Sequence, residues 1–255
     1  MLYKKIILIL NIYNDSNLLI KLLPKIYNEI GEKNFELLIA DDSNNKSKTK
    51  IILKNFLYKN ITLLQRNKIT KHNERCLATR KAMEYIYINK SQNIEYIVEI
   101  DSDGAQKPKD IKTGYMLARV QNLDLVIFSK YKKESIVTGR TILRKTISWI
   151  ITFVCKKLFN DKISDYSNSF RIYNKKSLNI LLKKKIIFYG AIQHLQNLLN
   201  LLENKNKIKI KELPCIYKEM ENRKSTISAK ELLISFKEFL YFIFINKFKI
   251  DNKSK

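Results

Sequence analysis

The segment EYIVEIDSDGAQKPKDI (residues 95–111) decides how this chain is read. An apolar run ends at Ile100, Asp101 and Asp103 follow two apart, Gly104 comes next, and Pro108 closes the loop. One explanation is a turn, because Asp and Ser bond to nearby backbone and Gly accepts positive φ. The other is a cation site. Two carboxylates at i and i+2 on a strand end both reach one hard divalent ion, Mg²⁺ or Mn²⁺, which keeps diphosphate oxygens in its remaining positions. The chain has 49 Lys and Arg against 24 Asp and Glu, a formal net charge of +25. Paired acids at a buried strand end run against that background.

Outward from this segment, the first half of the chain alternates. Strand-like runs at residues 5–12, 35–41, 61–66 and 95–101 are separated by helical patterns at 16–31, 48–58 and 74–89. Apolar strands divided by helices imply an α/β fold, a mostly parallel central sheet flanked by helices. Functional residues of such sheets lie at the carboxyl ends of strands. Asn11, Tyr13, Asp15, Asp41, Asp42, Asp101 and Asp103 all fall there, which favours the cation and nucleotide explanation over the turn. The second half offers a strand at 124–131, a long helix at 140–159, a polar loop entering a strand at 164–174, helices at 176–184 and 192–203, and an alternating exposed strand at 207–219.

With 255 residues and 45% hydrophobic content, the chain fits one α/β domain over residues 1–226 and a tail over 227–255. The basic excess is compatible with nucleic acid, a membrane surface or an anionic substrate. The lysines are spread along the chain and no nucleic-acid motif is present, so no specific nucleic-acid partner is expected. Cys76, Cys155 and Cys215 are odd in number and far apart, as buried thiols of a reducing compartment would be. His72 and His194 form no cluster with them, which argues against zinc. The N-terminal MLYKKIILIL reads as a first strand, without the features of a signal peptide.

A tail helix is expected from about residue 228, with Phe236, Phe239, Leu240 and Ile243 on one face and Lys230, Lys237, Lys247 and Lys249 around it. Its longest apolar run, FLYFIFI, is far shorter than the about 20 residues that cross a bilayer. It suits an amphipathic helix at an anionic membrane surface, or a helix docked on the core.

The ordered series NIYND, ELLIADDS, EIDSDGAQKP, FSKY, R-x-x-x-R-x-x-x-S, SDYSNSFR and ELP resembles family-2 glycosyltransferases, and within them the polyprenyl-phosphate hexosyltransferases, the dolichyl-phosphate mannose synthase-like group. The likeness runs over roughly residues 4–226. It implies a GT-A fold whose D-x-D, here Asp101 and Asp103, holds Mg²⁺ or Mn²⁺ on the diphosphate of a UDP- or GDP-hexose. It also implies that Asn11, Tyr13 and Asp15 line the nucleotide pocket and that Asp41 and Asp42 read base and ribose. On the acceptor side, Lys130 stands in an arginine slot, Arg144 and Ser148 match R-x-x-x-S, and Arg171 ends the S-D-x-T-S-G-F-R-like segment. These would hold the acceptor phosphate. Asp165 resembles the family's acid near sugar or acceptor, so Asp103, Lys130, Arg144 and Asp165 carry catalysis.

Several family positions differ. Ala105 replaces the Gln after D-x-D, with Gln106 adjacent; Ser169 replaces a Gly; Gln193 and Gln196 are nearest to a missing acid; and Arg223 or Lys224 substitutes for a late Arg. The expected activity is inverting, metal-dependent transfer of a hexose to a polyprenyl phosphate by a peripheral protein on the cytoplasmic membrane face. The alternatives are a glycan or protein acceptor, or an inactive partner of the same fold.

Overall fold

The computed structural model describes residues 5–66, 75–90, 94–159, 163–187, 193–203, 207–219 and 234–244. Its centre is a seven-stranded sheet. The first three strands are β1 (Lys5–Ile12), β2 (Phe35–Asp41) and β3 (Ile61–Gln65), followed by β4 (Ile94–Asp101) and β5 (Leu125–Ser129). β6 (Ile136–Thr138) stands apart; β7 (Arg171–Asn174), β8 (Ile210–Pro214) and β9 (Ile216–Lys218) complete the set. The order across the sheet is β3-β2-β1-β4-β7-β5-β8, and β6 pairs with β9 as a small parallel ribbon.

The strand runs are apolar on both faces because both faces are covered. In β1, Ile6, Leu8, Leu10 and Ile12 enter one core, while Ile7 and Ile9 enter the other. The first core is closed by α1 (Leu19–Ile30), α2 (Lys46–Lys54) and α4 (Pro108–Val120), through Leu19, Leu22, Leu23, Ile52, Ile111 and Ala118. The second is closed by α3 (Arg75–Lys90), α5 (Ile142–Phe159), α6 (Lys175–Lys183) and α7 (Gln193–Leu202). The α/β architecture with a mostly parallel sheet is therefore as the periodicity implied.

Three local features differ from the expectation. β7 runs antiparallel to both its neighbours, β4 and β5. The single alternating strand expected over residues 207–219 is two strands. Pro214, which has no N–H to donate, ends β8; Cys215 is buried, and β9 then turns to pair with β6. The helix expected over 48–58 spans Lys46–Lys54, capped by the Asn45 side chain accepting from the Ser47 N–H.

Residues 234–244 are helical. Phe239 and Phe242 are buried in the second core, with Ile243 packed beside them, and Phe242 lies against Phe159 of α5. Phe236 and Leu240, expected on the same face as Phe239, are instead exposed, as are Tyr241 and Phe244. The rest of the expected tail, with Lys230, Lys247 and Lys249, lies outside the described residues. Among the described residues no helix is long and apolar enough to cross a membrane.

α4 approaches the sheet at Gly114, where a Cβ would stand 2.4 Å from Phe128 Cζ and 2.9 Å from Ile172 Cδ1. Gly114→Ala is expected to lower stability by about 1–3 kcal/mol through overpacking, seen as a lower midpoint in urea denaturation; an unchanged midpoint would contradict this packing.

Candidate active site

β1, β2 and β4 end level with one another. Asn11 is opposite Asp101 across one pair and Ile12 is opposite Asp41 across the other. From β1 the sheet continues to β2 and β3 on one side and to β4 on the other, the kind of switch point at which open α/β sheets form their crevice.

The acidic loop is built by its own backbone and by two partners. The Asp101 N–H donates to Gln106 Oε1 at 2.9 Å, and its carboxylate accepts from Gln106 Nε2 at 3.1 Å and from Ser169 Oγ at 2.8 Å. Asp103 accepts the Ala105 N–H at 2.9 Å. Gly104 has φ 69°, a turn conformation that Gly adopts without strain. Gln106 is buried and thus holds the first aspartate in the place where Ala105 leaves no side-chain donor. Asp15 reaches the same loop, accepting from Ser102 Oγ at 2.8 Å and from the Tyr13 N–H at 3.1 Å. Asn14, at φ 58°, ties this turn to the loop after β2 through Ser43 and Asn44.

Asp41 and Asp42 are fully buried. Asp41 accepts from the Ser43 N–H and from Gln65 Nε2, and Asp42 is paired with Arg66, whose Nη2 lies 3.0 Å away. Both carboxylates are thus held at the end of β2 by Gln65 and Arg66 at the end of β3. Asn11 points below the crevice. Its amide donates to Glu99 at 3.2 Å and accepts from Thr79 at 2.8 Å. Glu99 also faces Tyr173 and His194 Nδ1, the latter at 3.6 Å. The floor is a buried polar layer under the acidic loop.

Arg171, expected beside the acceptor phosphate, belongs to this layer. Its side chain is fully buried and donates to the carbonyls of His194 (2.7 Å) and Tyr166 (3.0 Å). It anchors the loop before β7 to the start of α7. Gln196 likewise serves structure, bonding the Ile187 N–H and the Lys185 carbonyl. Arg223 and Lys224 lie outside the described residues.

Of the residues expected on the acceptor side, Lys130, Arg144, Ser148 and Asp165 lie in one region beside the acidic loop. Backbone bonds zip the two regions, with the Lys218 N–H donating to the Ala105 carbonyl at 2.8 Å and a bridge pairing Gln106 with Tyr217. The Tyr217 phenol is pushed far above its usual value by burial, then by Asp103, Asp101 and Glu219, with Arg140 opposing. It thus stands between the acids and the cations. The Lys130 ammonium is 5.6 Å from the Tyr217 ring centre and 2.9 Å from Asp165 Oδ2. Both groups are buried. Burial lowers the Lys130 ammonium, and Asp165 only partly restores it. Burial alone would raise Asp165, but Lys130 and hydrogen bonds from Lys130 and Ser167 outweigh it and hold the carboxyl below the usual range. Asp165 is a fixed counter-ion, and its depressed value makes it a weak base.

Arg144, on the first turn of α5, places Nη1 2.8 Å from Glu219 Oε2. Arg140, which the sequence reading passed over within R-x-x-x-R, donates Nη2 to Ser148 Oγ at 2.9 Å and to the Arg144 carbonyl at 3.2 Å. Its Nε lies 3.7 Å from Glu219 Oε1. Ser148 therefore joins Arg140 rather than a lone Arg144. Gln106, Ser169, Tyr217, Arg140 and Glu219 complete the site, and the only signal for the arginine was its spacing of four from Arg144.

Among the described residues no group of three or more His, Cys, Asp or Glu side chains forms a cation cage. Asp101 and Asp103 offer hard carboxylate oxygens on one fixed loop, which suits Mg²⁺ or Mn²⁺ if a ligand's diphosphate supplies the remaining donors.

The profile described as glycosyl transferase family 2 matches residues 7–181. The chain belongs to glycosyl transferase family 2. Solved structures share the fold of this glycosyltransferase. Glucosyl-3-phosphoglycerate synthase from Mycobacterium tuberculosis, in complex with Mn²⁺, UDP and glucosyl-3-phosphoglycerate, has 13% identity and a TM-score of 0.63, covering 90% of this chain and 75% of that one. The same synthase with UDP alone gives 13% identity and 0.64, covering 95% and 80%. TarS from S. aureus, residues 1–349, gives 15% identity and 0.57, covering 95% and 65%. These likenesses show the shared fold.

In this glycosyltransferase, Asp165→Asn strands a buried lysine charge. The expected loss is about 3–5 kcal/mol of stability at neutral pH, read by thermal or urea denaturation. Because the folded carboxyl is depressed, the Asp165 contribution is present above its unfolded value and is lost as pH falls through the lower folded one. The wild-type advantage over the variant should therefore shrink in acid, and an advantage that grows in acid would contradict the ion pair.

Proposed function

We propose that this glycosyltransferase moves a hexose from a UDP- or GDP-sugar to a polyprenyl phosphate, with inversion, on the cytoplasmic face of a membrane. The donor half of the proposal rests on the acidic loop and on the relatives whose structures hold UDP and Mn²⁺. A divalent cation bound at Asp101 and Asp103 would offset the charge that builds on the leaving diphosphate. Gln106, Ser169 and Asp15 keep the loop in place for it.

One observation carries the acceptor half. α5 carries Arg144 and Ser148 on the face turned to the acceptor-side cluster and an exposed apolar stripe of Ile142, Trp149, Ile150 and Phe153 on its opposite face. Trp149 and Phe153 stack at 5.5 Å, and Lys157 sits over Phe153. A helix with cationic and hydroxyl groups on its inner face and an apolar outer face fits a protein that meets a phosphorylated lipid at a membrane surface. Exposed Phe236, Leu240, Tyr241 and Phe244 on residues 234–244 add apolar surface, and the chain's basic excess suits anionic lipid.

A phosphate acceptor is already an anion and needs cations more than a base. A hydroxyl acceptor needs a general base, and Asp165 is held by Lys130. The relative bound to phosphoglyceric acid supplies the competing case of a soluble phosphorylated acceptor.

The deciding experiment is transfer of labelled glucose or mannose from UDP- or GDP-sugar, with Mn²⁺ or Mg²⁺, to undecaprenyl phosphate or to 3-phosphoglycerate. Label in the lipid extract, lost on the order of 10²-fold or more in Asp103→Ala and Arg144→Gln, is expected. Label in phosphoglycerate alone would overturn the lipid reading. Flotation with anionic vesicles is expected for the wild type and weakened in Trp149→Ala/Phe153→Ala; unchanged flotation would remove α5 from the membrane contact.

A further inference from the structure

The acceptor-side arginines are already occupied by the protein's own anion. The Glu219 carboxylate lies between them, with one oxygen 2.8 Å from Arg144 Nη1 and the other 3.7 Å from Arg140 Nε. We propose that Glu219 is an internal stand-in for the acceptor's phosphate: it holds Arg140 and Arg144 in the resting protein, is displaced when a phosphate monoester binds, and so sets the affinity and charge selectivity of the site. This rests on the reading of the cluster as the acceptor-phosphate site.

Three observations support an exchange. Arg140 is nearly buried and is also held by Ser148 Oγ and the Arg144 carbonyl. A guanidinium so placed needs a counter-charge whenever the ligand is away. Arg144 is about one-third exposed, so the cluster opens to solvent on its side. The Glu219 backbone is fixed while its side chain is not part of any strand pairing. Its N–H donates to the Thr138 carbonyl at 3.0 Å. Gly139, at φ 80°, lets that backbone approach so closely that a Cβ would be 2.6 Å from the Glu219 carbonyl oxygen. A side-chain rotation therefore frees the arginines without moving β9.

The chemistry favours one class of ligand. A carboxylate gives each arginine one oxygen here. A phosphate monoester offers three oxygens and up to two charges, enough for both guanidiniums and the Ser148 hydroxyl together. Lys130 adds little net charge, being neutralised by Asp165. Singly charged ligands would compete with Glu219 on equal terms, and monoester dianions would win.

Calorimetric titration of the full chain with inorganic phosphate, without metal or nucleotide, tests this. Glu219→Gln keeps the shape and removes the charge. It is expected to bind phosphate roughly tenfold tighter than the wild type, a modest like-charge effect, and the gain is expected to vanish in Arg140→Gln/Glu219→Gln. Circular dichroism checks folding, and Glu219→Ala reads the same difference if the amide does not fold. Equal or weaker binding by the Glu219 variants, no binding by any of the proteins, or a gain that survives the loss of Arg140 would overturn the proposal. Inorganic phosphate carries no lipid, so a gain here without transfer to undecaprenyl phosphate would leave Glu219 in this role while the lipid reading failed.

Discussion

A strand that enters a parallel sheet the wrong way round begins where its neighbours end. β7 does this between β4 and β5. The segment just before it therefore arrives at the carboxyl ends of β4 and β5. That places Ser169 on Asp101, Asp165 on Lys130, and the Asn168 amide on the Phe128 carbonyl. Were β7 parallel, this segment would lie at the far edge of the sheet and the acidic loop would lose its contact with the acceptor side. The antiparallel insertion thus brings two halves of a site together from opposite halves of the chain.

Charge is distributed around that junction by burial. Deep groups are neutralised in place, Asp42 by Arg66, Lys130 by Asp165, with Glu99 set among Asn11, Tyr173 and His194. Their pairing fixes geometry rather than attracting ligands, because a buried ion that lost its partner would carry a large desolvation cost. Nearer the solvent, two arginines share Glu219. Of the buried and half-buried cations described around this junction, Arg140 and Arg144 share a single carboxylate, beside the loop that would hold a cation and a diphosphate. In the proposed reaction a donor diphosphate and an acceptor phosphate would meet with their charges separately compensated.

The strands and their ends were legible in the sequence because doubly covered strands need apolar residues at every position. The polar residues at their carboxyl ends mark where that cover stops. Asp101, Asp103, Asp41 and Asp42 were found in this way. The direction of β7 was not legible, since alternation has no sign. Arg171 was expected at the ligand from the family resemblance alone, and its side chain lies inside the fold. Arg140 was passed over because its inward turn depends on Gly139 at positive φ and on β6 pairing with β9. The helical tail is apolar nearly all round, which hides the face that docks. Contacts with α5 select Phe242.

The central claim is that the paired acids hold a cation and the cation holds a diphosphate. Calorimetric titration of the folded protein with UDP and with GDP, with Mn²⁺ present and then absent, tests it most directly. Binding of one nucleotide that requires Mn²⁺ and is lost in Asp101→Ala is the predicted result. Binding of equal strength without the metal, or no binding of either nucleotide by folded protein, would contradict it.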